Sequence, residues 1–96
     1  MSRVIRTTPA NDDILAIVTY IADHNPPAAE RWLDQLDRML LLLADQPHLG
    51  EAVEHLGNGM RRQILGNYLI FYRPLTPGIE VNRVLHSARK IEELFN

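Results

Sequence analysis

"MRRQILGNYLIFYR", residues 60–73, is the stretch on which the fold turns, because here the spacing of apolar residues changes from helical to alternating. "MRRQIL" and "YLIFYR" flank Gly66-Asn67, and both residue types tolerate positive φ, so the stretch predicts two strands joined by a tight hairpin. "RPLTPG" (73–78) makes the next turn. "IEVNRVLH" (79–86) then alternates, with Ile79, Val81, Arg83 and Leu85 on one face and Glu80, Asn82, Val84 and His86 on the other. The last amphipathic stretch, "SARKIEELF" (87–95), predicts a short helix with Ser87 as its cap.

Upstream the period is helical. "VIRT" (4–7) is a strand candidate, and "TTPANDD" reads as a helix start: Thr8 can cap, Pro9 suits the first helical position, and Asp12 and Asp13 favour the positive end of the helix dipole. Ile14, Ile17, Val18, Ile21 and Ala22, with Leu15 widening the stripe, give a first helix over about 9–23. Pro26 breaks it at Asn25, which caps a second helix whose stripe is Trp32, Leu33, Leu36, Met39, Leu40 and Leu43, ending before "DQPHLG". So short a connection makes the helices an antiparallel pair. Residues 47–59 hold proline, three glycines and no sustained period, and read as a loop with at most one helical turn. The order is β-α-α-β-β-β-α: a helical hairpin on a small, mainly antiparallel sheet, an α+β fold, and residues 1–96 read as a single domain.

The 96 residues suffice for one small core, and 46% hydrophobic with 23% charged residues is a globular balance. There is no cysteine, which excludes disulfides, thiolate metal sites and a cysteine nucleophile. The N-terminus lacks an apolar run of signal-peptide length, and "MLLLLA" (39–44) is too short to span a bilayer, so a soluble, cytoplasmic protein without membrane contact is expected. The net charge of −2 is unevenly spread: residues 1–57 carry four arginines against nine acids, residues 58–96 six cations against three acids. A protein living on phosphate contacts is normally basic overall, so sequence-specific nucleic-acid binding by this chain alone is not expected.

Arg61, Arg62, Arg73 and Arg83 lie on the predicted strands, where either Arg61 or Arg62 is expected to approach Arg73, Arg83 and His86 on one region of the sheet. Adjoining like charges persist where an anion or acidic partner compensates them. The alternative is a set of solvated cations, each offsetting an acid of the helices. His86, at a strand end beside cations, is placed where a general acid or base could work, or where an imidazole simply caps the next segment. Ser87 is adjacent to it and carries no strand-to-helix elbow, so no serine triad is read. His48, Glu51, Glu54 and His55 match no metal spacing, and neither a metal nor a cofactor is expected. Trp32, Tyr20, Phe71 and Leu43 read as core.

The segments "TPANDDILAIVTYIADHNPPAAERWLDQL", "LLLADQPHLGE", "GMRRQILGNYLIFYR" and "VNRVLHSARKIEEL" occur in the order in which they occur in the ParE/RelE superfamily of bacterial toxins, and the chain resembles its ParE branch over nearly its whole length. The resemblance implies a toxin of a type II toxin–antitoxin module. RelE-like members are ribosome-dependent mRNA endoribonucleases that use arginines and lysines for phosphate charge and often a C-terminal tyrosine or histidine as acid or base. ParE-like members poison DNA gyrase, have no turnover of their own, and are held inactive by a ParD-type antitoxin whose C-terminal segment wraps them. Where RelE-like chains commonly carry an arginine straight after the strand tyrosine, this chain has Leu69 after Tyr68, and no tyrosine follows Arg89. Losing one phosphate-stabilising group costs orders of magnitude in rate. The expectation is therefore a gyrase-directed binder whose Arg61, Arg62, Arg73, Arg83, Arg89 and Lys90 contact partners. The alternatives are an endoribonuclease using His86 and Arg89, or a non-toxic antitoxin-binding module.

Overall fold

The computed structural model describes residues 2–95. Strand β1 (Val4–Arg6) leads into helix α1 (Thr8–His24), which turns at Asn25 into helix α2 (Pro26–Asp45). Then come β2 (Glu51–Ala52), a 3-10 turn (Glu54–Leu56), β3 (Arg61–Leu65), β4 (Tyr68–Pro74), β5 (Ile79–His86) and a short helix α3 (Ile91–Leu94). The sheet order is β1-β5-β4-β3-β2, with β1 parallel to β5 and every other pairing antiparallel. The expected α+β architecture is present, with one addition: the segment read as a loop contributes β2, whose Glu51 and Ala52 pair with Arg62 and Arg61.

Both caps come from short polar side chains, but the first sits one residue earlier than expected. Thr7, not Thr8, accepts the N–H of Ala10 at 3.2 Å, while its hydroxyl donates to the Asn82 carbonyl of β5 at 3.0 Å. A single threonine thus starts the helix and pins it to the sheet. Asn25 caps α2 through Ala28 N–H, as the sequence implies. The α1 stripe is narrower than expected, since Leu15 is 66% exposed and lies outside it.

Strand β4 is buried on both faces, which is why "YLIFY" is apolar without alternation. On the helix side Ile70 and Tyr72 pack with Ile14, Trp32, Leu36, Leu40 and Leu43. On the other side Leu69 and Phe71 pack with Val53, Met60, Leu85 and Ile91. Phe95 completes that cover, its ring edge-on to Phe71 at 4.9 Å between centroids.

In β5 the alternation read from the sequence breaks. The register steps from Phe71↔Arg83 to Tyr72↔Val81, leaving Asn82 as the extra residue of a β-bulge. Beyond the bulge every side chain changes face, so Val84 joins the helix-side core with Ile79 and Val81, and Arg83 and Leu85 turn to the opposite side.

The final helix is shorter than expected and Ser87 does not cap it. His86 takes the next two free amides, Ala88 N–H on its Nδ1 at 3.0 Å and Arg89 N–H on its carbonyl at 3.0 Å, which closes a turn over 87–89. Helix α3 starts only at Ile91, with Lys90 at its cap position. Among the described residues no helix is long and apolar enough to cross a membrane.

Tyr72 joins the sheet to the connection after α2. Its fully buried hydroxyl donates to the Pro47 carbonyl at 2.8 Å and accepts the Gly50 N–H at 2.9 Å. Burial pushes this phenol above its ordinary value, with the Gly50 N–H and Arg61 pulling it partly back. Its folded pKa is raised, so its contribution is complete below the unfolded value near 10.0 and is lost as pH climbs through the folded one. Tyr72→Phe is expected to lower unfolding free energy by about 1–3 kcal/mol in urea titrations, because it orphans the buried Gly50 N–H and the part-buried Pro47 carbonyl. A loss below about 0.3 kcal/mol would show that water replaces the hydroxyl.

Candidate functional site

The six cations singled out in the sequence do not form one cluster. Arg61 faces the helix side opposite Tyr72 and donates to the carbonyls of His48 and Gly50. Arg62 faces the other side and pairs with its cross-strand neighbour Glu51 at 2.7 Å. Arg73 donates from Nε to the Asn58 carbonyl at 2.8 Å. These three tie the irregular 47–60 segment to the sheet.

Arg83 has the most developed environment. Its Nε and an Nη donate to the two carboxylate oxygens of Asp13, at 2.7 and 2.9 Å. The same carboxylate accepts Val84 N–H at 3.0 Å. The side chains of Arg83 and Asp13 are only 24% and 14% exposed, so solvent screens the pair weakly. The hydrogen bonds to Asp13 hold the Arg83 pKa above its ordinary high value against the opposing effect of burial. Asp13 was read as a helix-dipole residue; it is the sixth residue of α1, beyond the reach of that effect, and is instead the strut between α1 and β5.

Two open grooves hold the remaining chemistry. One, of about 460 Å³, brings Arg73 and Arg83 together with Thr7, Asn82 and Phe95. The other, of about 510 Å³, lies between α1 and the ends of β4 and β5, with Ile17 and Tyr20 on one wall and Tyr68, His86 and Arg89 on the other. Tyr20, expected in the core, is 65% exposed on this wall. Tyr68 stands between Trp32 and His86, edge-on to both at 5.4 and 5.3 Å. Burial and the nearby Tyr20 phenol push the Tyr68 pKa up, so it remains a hydroxyl donor across the neutral range. Because Nδ1 of His86 accepts a backbone N–H, the ring proton of its neutral form resides on Nε2.

Arg89 lines this groove, and neither it nor Lys90 has a side-chain hydrogen bond or ion pair among the described residues. Of the six cations, these two are the ones available to a partner without breaking an internal bond. Asp13 and Tyr20 were the residues missed. Asp13 depended on a bulge that shifts which residues face α1. Tyr20 lies one position off the Ile14-Ile17-Val18-Ile21 stripe, and that offset was the signal that could have found it.

Residues 4–91 match the family described as ParE toxin of type II toxin-antitoxin system, parDE. Toxin ParE1, from two strains of Mycobacterium tuberculosis, is 32% identical over 65 residues, 67% of this chain and 66% of the relative, so the match spans just under two thirds of that protein. A chain of solved structure from the chromosomal ParDE TA system of P. aeruginosa superposes with a TM-score of 0.73 over 90% of this chain and 96% of its own length. At 18% identity that likeness is one of fold.

Asp13→Ala leaves the Arg83 charge and the Val84 amide unpaired, and is expected to lower unfolding free energy by about 2–4 kcal/mol in denaturant titration. Asp13→Asn, which keeps an acceptor for Val84, is expected to lose less. Equal stability of Asp13→Ala and the parent chain would show that the strut does not hold α1.

Proposed function

The chain belongs to the ParE toxin family of type II toxin–antitoxin systems, and from that membership we propose that it arrests growth by binding DNA gyrase, without catalytic turnover, in the cytoplasm. A ParD-type antitoxin encoded beside it neutralises it. Leu69 carries the choice against the RelE-like alternative. At the position after the strand tyrosine, where RelE-like chains commonly place an arginine, this leucine is buried among Phe71, Leu85, Met60 and Ile91. A phosphoryl transition state requires cations there. Around Leu69 this face of the sheet carries apolar packing instead.

The electrostatic contacts to partners run first through Arg89 and Lys90. Arg73 and Arg83 line the second groove, and Arg61 and Arg62 are reached only by exchanging the bonds they make to the 47–51 segment. The charge distribution supports this reading: a basic C-terminal portion suits an acidic protein partner, while the net −2 does not suit a free RNA ligand.

The experiment is a supercoiling assay with purified gyrase, beside programmed ribosomes carrying a labelled mRNA. Loss of supercoiling with trapped cleaved DNA and intact mRNA is expected. Cut mRNA with gyrase untouched would contradict the proposal and assign His86 and Arg89 to a nuclease site. Activity in neither assay, with antitoxin binding retained, would make the chain a non-toxic binding module. In the growth assay His86→Ala is expected to change toxicity less than about tenfold, whereas loss of a catalytic acid or base costs about 10²–10⁴-fold.

A further inference from the structure

Strand β5 is longer than its neighbour β1, and the difference leaves part of its edge uncovered. Strand β1 pairs with residues 79–81 and then ends. From there α1 seals the edge with single groups: Thr7 N–H on the Val81 carbonyl, the Thr7 hydroxyl on the Asn82 carbonyl, and Asp13 on Val84 N–H. Because Val84 N–H points to Asp13, the Ile70↔Val84 pair is not hydrogen-bonded to β4, and by alternation neither is Tyr68↔His86. The Val84 carbonyl and the His86 N–H therefore also point away from β4. Neither has a partner among the described residues.

These two groups flank Leu85 in the way that Val81 and Ile79 flank Glu80, where β1 bonds in parallel. One residue of a parallel chain opposite Leu85 would donate to the Val84 carbonyl and accept from His86 N–H. The groove between α1 and β5 is lined by the residues that carry them, Val84 and His86, and by Leu85 between them. Its walls supply apolar surface from Ala16, Ile17 and the Tyr68 ring, and donors from the Tyr20 hydroxyl, His86 Nε2 and the unpaired Arg89 guanidinium. The one acid on its wall, Asp13, is already committed to Arg83.

We propose that this groove holds an extended acidic segment of the antitoxin, which adds a single parallel bridge to β5 at Leu85 and places a carboxylate on Arg89. The inference deepens the antitoxin reading above and rests on it. The bridging residue keeps its side chain on the Leu85 side of the sheet, while its neighbours point towards α1. The preferred segment therefore carries an apolar residue for Ile17 and Tyr68 and an acid beside it for Arg89. A helix could fill the groove but could not satisfy the Val84 carbonyl and the His86 amide together.

The test is calorimetric titration of the full chain with the purified antitoxin encoded by the adjoining gene, with the His86 amide followed by NMR. Arg89→Glu, and Ala16→Trp, which fills the groove from an exposed helix position, are each expected to weaken binding by about tenfold or more. Arg38→Glu makes the same charge change on the exposed face of α2 and is expected to stay within about twofold. The His86 amide is expected to become protected from exchange in the complex. Tight binding by the parent chain with no loss in either groove variant would overturn this inference and leave the antitoxin reading intact. Weakened binding with an unprotected His86 amide would overturn strand addition. No binding by the parent chain would overturn both.

Discussion

The Asp13 carboxylate is the contact on which the arrangement of layers depends. It takes both arms of the Arg83 guanidinium and the amide of Val84, and so acts as a strand neighbour for β5 at the point where β1 has ended. Thr7 does the same one step earlier, through its amide and hydroxyl. Together they convert the line of β1 into the line of α1 by pairing the Val81 and Asn82 carbonyls and the Val84 amide. The bulge at Asn82 makes this possible, because it turns Arg83 outward to meet Asp13 while returning Val84 to the core.

The same geometry explains how the chain uses its cations. Most of the arginines expected to face a partner are engaged internally: two hold carboxylates and two hold carbonyls of the segment between α2 and β3. The partly buried bonds among them, Arg83 to Asp13 and Arg61 to the Gly50 carbonyl, matter through the cost of leaving either member unpaired, while the exposed ones contribute less. What remains outward is concentrated near the end of β5, where Arg89 and the His86 ring stand beside two tyrosines. The opposite face of the sheet is closed by Leu69, Phe71, Leu85 and the residues of α3 that cover them.

Much of this was legible in the chain itself. The helical hairpin follows from the Ile14-Ile17-Val18-Ile21 and Trp32-Leu36-Leu40-Leu43 stripes with Asn25-Pro26 between them, and the hairpin of β3 and β4 from Gly66-Asn67. Gly66 takes the positive φ that this turn requires. Strand β2 was not legible, since two residues carry no period and are held by Arg61 and Arg62 across the ladder. The bulge was hidden for a related reason: an extra residue leaves the local pattern plausible and shows itself only in the register with β4. Everything beyond it inherited that error, including the faces assigned to Arg83 and Val84 and the role of Asp13. The helix expected over 87–95 starts only at Ile91 because His86 competes for the amides of Ala88 and Arg89, a side-chain choice that propensity does not express.

Two amides two residues apart on the edge of β5, Val84 and His86, differ in what covers them: Asp13 accepts the first and the groove faces the second. Hydrogen exchange of the free chain, resolved by residue, would measure that difference. Val84, sealed by Asp13, is expected to exchange only with opening of α1 from the sheet, and His86, facing the groove, at close to the rate of an exposed amide. Equal protection of both would mean that the edge is closed throughout, and fast exchange at Val84 would mean that the Asp13 strut does not form.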